Sequence, residues 1–182
     1  PSSQLIWGEG NNLLIGSYLY FLCTVMILLG ELTDTRSIEQ FKRITHHSGR
    51  LVSDFILIDG FSPTLINMGI NGLIATTYVL IVGGQLNGPT IGGIFAVIGF
   101  GAFGKHFKNI IPVMIGVVIG SYLKVWSIND PSILLAALFG TSLAPIAGEF
   151  GWAYGILAGF LHSSVVLHVG SLHAGLNLYN NG

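Results

Sequence analysis

Few residues in this chain can do chemistry, and the densest group of them is Gly83-Gly84-Gln85-Leu86-Asn87-Gly88-Pro89-Thr90-Ile91-Gly92-Gly93. Pro89 behind Asn87 or Gly88 marks a helix start, with one of those two as its cap. Unpaired amides at such a start carry partial positive charge and can hold an anion or a polar solute, and transporters place the ends of broken helices at their sites. Asn87, Gly88 and Thr90 are therefore candidate substrate-binding residues, although an ordinary turn between helices uses the same residue types. Just before this stretch, Asn67 and Asn71 recur at the spacing that puts both on one helical face, with Thr64 nearby. Amides in a spanning helix either bond across to a neighbour, worth about 0.6–2 kcal/mol, or line a polar pathway.

Three further groups invite a catalytic or ligand reading. Glu149 stands between two apolar segments in Gly148-Glu149-Phe150-Gly151, after a helix that Pro145 should kink. Held within a membrane, a carboxyl is a functional group by default, whereas in a tight hairpin its exposure costs little. Of the six histidines, His162, His168 and His173 and the adjacent His46 and His47 all miss the His-x-x-x-His spacing of metal ligands. With a single cysteine, Cys23, no metal set, disulfide or cofactor motif is legible. Ser163 and Ser164 beside His162 are consecutive and cannot face it on a helix, and no Gly-x-Ser-x-Gly elbow occurs. No catalytic residue is assigned; Glu149 and His162 stand as candidate polar ligands, or as the groups an intramembrane enzyme would use. Asn177, matched to Asn87, is a further candidate substrate-binding residue; with Asn180, Asn181 and Gly182 it closes a polar stretch whose Asn181-Gly182 repeats the Asn87-Gly88 pair and reads as the threshold of a further segment, as in a fragment of a longer chain.

These groups need elements to hold them, and charge defines the elements. Asp, Glu, Lys and Arg make up 8% of the 182 residues, about a third of the share usual in a soluble domain. Uncharged runs cover Gly10–Gly30, Gly60–Gly104, Asn109–Leu123, Pro131–Gly148 and Phe150–Gly182. With 51% hydrophobic residues and a mean hydropathy of +0.72, a water-soluble helical core would expose apolar patches beyond tolerance. A crossing needs about 20 apolar residues, so the runs predict an all-α polytopic transmembrane bundle of about six spans in a single domain. The spans fall near 11–30, 63–83, 89–104, 110–126, 132–148 and 150–169. The third is short, and a re-entrant or broken helix over 84–104 is its alternative. The net charge of −1 and the lack of a basic stripe exclude nucleic acid, leaving the lipid bilayer as the first partner.

Six crossings put Arg36, Lys42, Arg43, Arg50, Lys105 and Lys108 on one side and Lys124 near the other, so the positive-inside rule makes the first side cytoplasmic and both termini external. Between the first two spans, Ser37 and Gln40 fit a capping box, Ile38 and Phe41 share a face, and a surface amphipathic helix is predicted near 36–46. After it, Asp54 and Asp59 flank Phe55-Ile56-Leu57-Ile58, too short to span, which should dip into the interface. Gly116 with Gly120, and Gly151 with Gly155 and Gly159, are spaced for close helix packing in lipid, within the chain or in a homo-oligomer. A faint repeat at an offset of about 90 residues sets Asp59 on Glu149, Gly69 on Gly159, Leu86 on Leu176 and Asn87 on Asn177.

The stretches Asn87–Gly93, Gly104-Lys105-His106 with Lys108-Asn109, Leu143–Trp152, and Gly170-Ser171-Leu172-His173 with Gly175–Gly182 resemble a family of uncharacterised bacterial multi-pass membrane proteins, known only as a domain of unknown function. The likeness covers most of residues 45–182. It implies a bacterial inner-membrane location and supplies no substrate, mechanism or catalytic residue. The function expected from the residues themselves is a channel or secondary transporter for a small polar or anionic solute; an intramembrane enzyme and an assembly scaffold without a pathway are the alternatives.

Overall fold

A computed structural model describes residues 10–50, 53–124 and 127–172, with side chains placed through residue 166. The described residues form α1 (Asn12–Thr33), α2 (Ser37–Ile44), α3 (Phe55–Ile58), α4 (Phe61–Ile81), α5 (Gly88–Gly99), α6 (Phe107–Leu123), α7 (Pro131–Gly140), α8 (Ala144–Phe150) and α9 (Trp152–Leu172). Short 3-10 turns follow α5 at Phe100–Ala102 and join α7 to α8 at Thr141–Leu143. The fold class is the all-α bundle that the uncharged runs predict.

Local chemistry explains most of the boundaries. Asn87 caps α5 by accepting from the Thr90 N–H at 3.1 Å, and Thr90 Oγ1 accepts the Asn87 N–H at 2.9 Å, a complete capping box with Pro89 in the first turn. The loop before α6 places the Asn109 carboxamide oxygen 2.9 Å from the His106 N–H. Asp54 caps α3, its carboxylate accepting from the Ile56 and Leu57 amides at 3.0 and 3.2 Å. The helices α4 and α9, each of 21 residues, follow glycines, Gly60 at φ 106 and Gly151 at φ 93, a region L side chains rarely enter. The capping box expected at Ser37 and Gln40 does not form. Ser37 is buried as the first residue of α2 with no partner for its hydroxyl, and it is Asp34 that accepts there, its carboxylate from the Arg36 N–H at 2.9 Å and its carbonyl from the Ser37 N–H at 3.0 Å.

The most extensive packing runs α1 along α4 and α6 along α9. Gly69 and Gly72 on α4 bring its backbone against Cys23 of α1, and Gly116 on α6 meets the Ile156 carbonyl while Gly159 on α9 meets the Val113 carbonyl. A side chain at any of these positions would separate the pair, so the glycine spacing does what close packing in lipid requires. Gly151 is no part of that ladder. It makes the turn into α9 and has open space where a Cβ would stand.

Three helical stretches, Asn12–Thr33, Phe61–Ile81 and the interrupted Pro131–Phe150, are long and apolar enough to cross a membrane, and Gly88–Ala102, Phe107–Leu123 and Trp152–Val166 are shorter apolar ones. Large apolar side chains cover the outside, among them Leu13, Phe21, Leu32, Ile81, Tyr122 and Leu161. In water this surface would be prohibitive; against acyl chains it is the favourable face. These features mark the chain as a membrane protein.

The connections gather at two ends of the bundle. At one, Gly49 packs on the Gly104 backbone, Gly148 on Ser48, and Arg50 Nη1 lies 3.2 Å from Glu149 Oε1. At the other, Asn12 Nδ2 donates to the Gly84 carbonyl at 2.9 Å and its Oδ1 accepts from the Leu86 N–H at 2.8 Å.

Candidate functional site

Several of the buried polar groups, Asn67, Asn71, Lys105, His106 and Asn109, meet at the corner between α5 and α6. Asn67 and Asn71, both fully buried on α4, point the same way because a helix places them one above the other. Asn67 Nδ2 donates to the Gly101 carbonyl at 2.6 Å and to the Lys105 carbonyl at 2.7 Å, and Asn71 Nδ2 donates to the same Lys105 carbonyl at 3.1 Å. The corner's backbone, which leaves α-helical geometry between Phe100 and His106, thereby finds donors for two carbonyls that a continuous helix would have paired internally. The amide oxygens of Asn67 and Asn71 are buried, and among the described residues nothing donates to them.

The side chain of Lys105 turns inward from this corner. It is 8% exposed, its Nζ donates to Thr141 Oγ1 at 2.9 Å, and it lies 4.6 Å from the centre of the Phe100 ring. Thr141 is the first residue of the 3-10 turn that breaks α7 from α8, and its hydroxyl donates to the Leu138 carbonyl at 2.6 Å while accepting from the lysine. Burial pushes the Lys105 ammonium down to about 8, so it remains mostly protonated at neutral pH. Among the described residues no carboxylate pairs with it; the two ion pairs there are His47–Asp59 and Arg50–Glu149.

His106 extends the polar group toward the end of the bundle. It is buried, its Nε2 lies 2.9 Å from the His47 carbonyl, so that nitrogen carries the proton and donates, and His47 Nε2 in turn lies 2.9 Å from Asp59 Oδ2. Desolvation first, offset in part by that backbone hydrogen bond, pushes His106 down to about 4 and keeps it neutral. Among the described residues no three His, Cys, Asp or Glu side chains cluster as metal ligands.

The residues singled out by sequence fall at four places. Asn67 and Asn71 meet at the corner. Asn87, Gly88 and Thr90 lie at the opposite end of α5, about 18 Å away along a 12-residue helix, and their polar atoms are engaged in the cap, with Thr90 Oγ1 also 2.7 Å from the Gln85 carbonyl. Glu149 is partly exposed at the end of α8 and pairs with Arg50. His162 on α9 lies against Gly140, the residue before Thr141, and so borders the α7–α8 break. Asn177 lies outside the described residues. Sequence spacing does not single out Lys105 and Thr141: with Lys108 beside it at the edge of an apolar run, Lys105 reads as a topology signal, and only the need of Asn67 and Asn71 for partners hints at the corner.

An all-α membrane bundle with an uncompensated polar centre is the class these features define. The chain belongs to the family described as Protein of unknown function (DUF1576), which matches residues 33–182. Neither a curated protein nor a solved structure matches it.

Proposed function

We propose that this membrane protein is a channel or secondary transporter of the bacterial inner membrane for a small polar or anionic solute, and that the solute passes the centre formed by Asn67, Asn71, Lys105 and Thr141. The observation that carries the reading is the pairing of a buried ammonium that lacks a carboxylate with two buried amide oxygens that lack donors. Helix packing alone favours satisfied groups, since an unpaired buried polar atom costs about 1–3 kcal/mol and a buried charge more. Groups of both signs left open around one residue, the asparagines at the Lys105 carbonyl and Thr141 at its ammonium, are what a transient polar occupant would use. The break between α7 and α8 supports the same reading, because interrupted helices at membrane depth are tolerated where backbone is buried in protein or lines a pathway.

Reconstitution into liposomes tests the proposal. Solute-driven swelling or tracer uptake should exceed that of empty liposomes for at least one neutral polar solute or anion, and the Asn67→Leu/Asn71→Leu double variant should lower it at least tenfold while remaining folded. A scaffold without a pathway gives no flux for any solute, and flux indifferent to the double variant removes the asparagine face from the site.

A further inference from the structure

We propose that Lys105, held by Thr141, is the binding group of a site for a small monovalent anion. The inference rests on the transport reading only for its place in the molecule, since it names what occupies the same centre. An ammonium has three donors, and the structure accounts for one hydrogen bond, to Thr141 Oγ1, and one ring contact, to Phe100. Lysine is almost never this buried without a partner of opposite charge, and none stands beside it among the described residues. The nearby charges of the corner do not supply one either. Asp54, whose backbone bridges to Phe103, spends its carboxylate on the Ile56 and Leu57 amides, Asp59 is engaged by His47, and Glu149 by Arg50 at the exposed end of α8. An anion completes the site by neutralising a charge that burial otherwise penalises.

The chemistry sets the class. One buried positive charge is balanced by one negative charge, and a divalent ion would leave a net charge in an apolar surround, which is the same penalty with the opposite sign. The corner is closely packed, with Gly101 against Met68 and Asn71 and with Leu138 beneath Thr141, so the ion must be small. The unsatisfied Asn67 and Asn71 oxygens accept rather than donate, and so do not compete with Lys105 for an anion.

Nitrate is the probe, with sulfate at equal ionic strength as the control and gluconate as the background. For the purified chain in detergent, nitrate should raise the melting temperature saturably and give a measurable binding isotherm, and sulfate should do neither. Lys105→Arg should keep nitrate binding within about tenfold, and Lys105→Met should abolish it. Where the methionine variant fails to fold, Thr141→Val replaces it: with the hydroxyl gone and the charge kept, the melting temperature should depend on nitrate more steeply than in the wild type. A melting temperature indifferent to nitrate, or equal responses to nitrate and sulfate, overturns the site and leaves Lys105 as a strut between the corner and the helix break. Flux and binding separate the two proposals. Nitrate binding without flux of any solute supports the site and removes transport, whereas flux of a neutral solute by a protein that does not bind nitrate overturns the site alone.

Discussion

Lys105 and His106 are neighbours in the α5–α6 corner, and burial lowers the affinity of both for a proton. The consequences differ because their ordinary values differ. Lys105, at about 8, keeps its charge at neutral pH, whereas His106, at about 4, is neutral there and has an unfolded value near 6.5. Between those two histidine values the unfolded chain holds more protons than the folded one, so stability rises with pH across the window. The contribution is fully present above about pH 6.5 and is lost as pH falls toward 4; for a group this buried it amounts to about 3 kcal/mol. Chemical denaturation of the wild type and of His106→Gln, which keeps a donor for the His47 carbonyl, should therefore diverge with acidification. The wild type should lose more stability than the variant between pH 6.5 and 4.5, and parallel curves would show that His106 does not titrate in this range.

At the scale of elements, glycine serves two separate purposes here, and substitution tells them apart. Gly60 at φ 106 and Gly151 at φ 93 have extended ψ, a combination open essentially to glycine alone, although the space around Gly151 is empty and only Pro63 approaches Gly60, at 3.9 Å. Alanine at either should cost about 1–3 kcal/mol through backbone strain. Gly92 sits inside α5 with helical geometry and open space, so alanine there should be neutral or stabilise by up to about 1 kcal/mol. Melting of the three variants in detergent checks the ordering, and equal losses at all three would refute the strain argument. The same contrast explains what the sequence makes legible. The α5 cap was readable because Asn87, Pro89 and Thr90 act on one another within a single turn. Spacing places Gly151 in the packing ladder because it cannot report φ, and it offers Ser37 as a cap although the helix already includes Ser37 and the Gln40 N–H donates to the Arg36 carbonyl. Asn67 and Asn71 were readable as a shared face, yet their partners lie at Gly101 and Lys105, whose approach depends on the whole corner folding back onto α4.

For the whole molecule, the two ends of the bundle carry unequal charge. Arg36, Lys42, Arg43, Arg50, Lys105 and Lys108 belong to the end where Ser48 meets Gly148 and Gly49 meets Gly104, and Lys124 belongs to the end of α6 that leads into α7. If the stretches cross the membrane, the positive-inside rule predicts that the first end faces the cytoplasm. Exposed Ile38, Ile56, Leu57 and Phe61 collect on α2, α3 and the start of α4 at that end, where apolar side chains beside basic ones suit the headgroup boundary. Thr35, between α1 and α2, and Asn129, before α7, are both exposed and lie at opposite ends. Cysteine introduced singly at each can report its side, since the native Cys23 is buried. A membrane-impermeant maleimide should label Thr35→Cys in inverted vesicles and Asn129→Cys in right-side-out cells or spheroplasts. Reversed labelling would invert the orientation while keeping the bundle. Labelling of both from one side would mean that the α4, α5 and α6 stretches between them do not cross as an odd number of spans, and it would remove the basis for placing Lys105 and Thr141 on a path through the membrane.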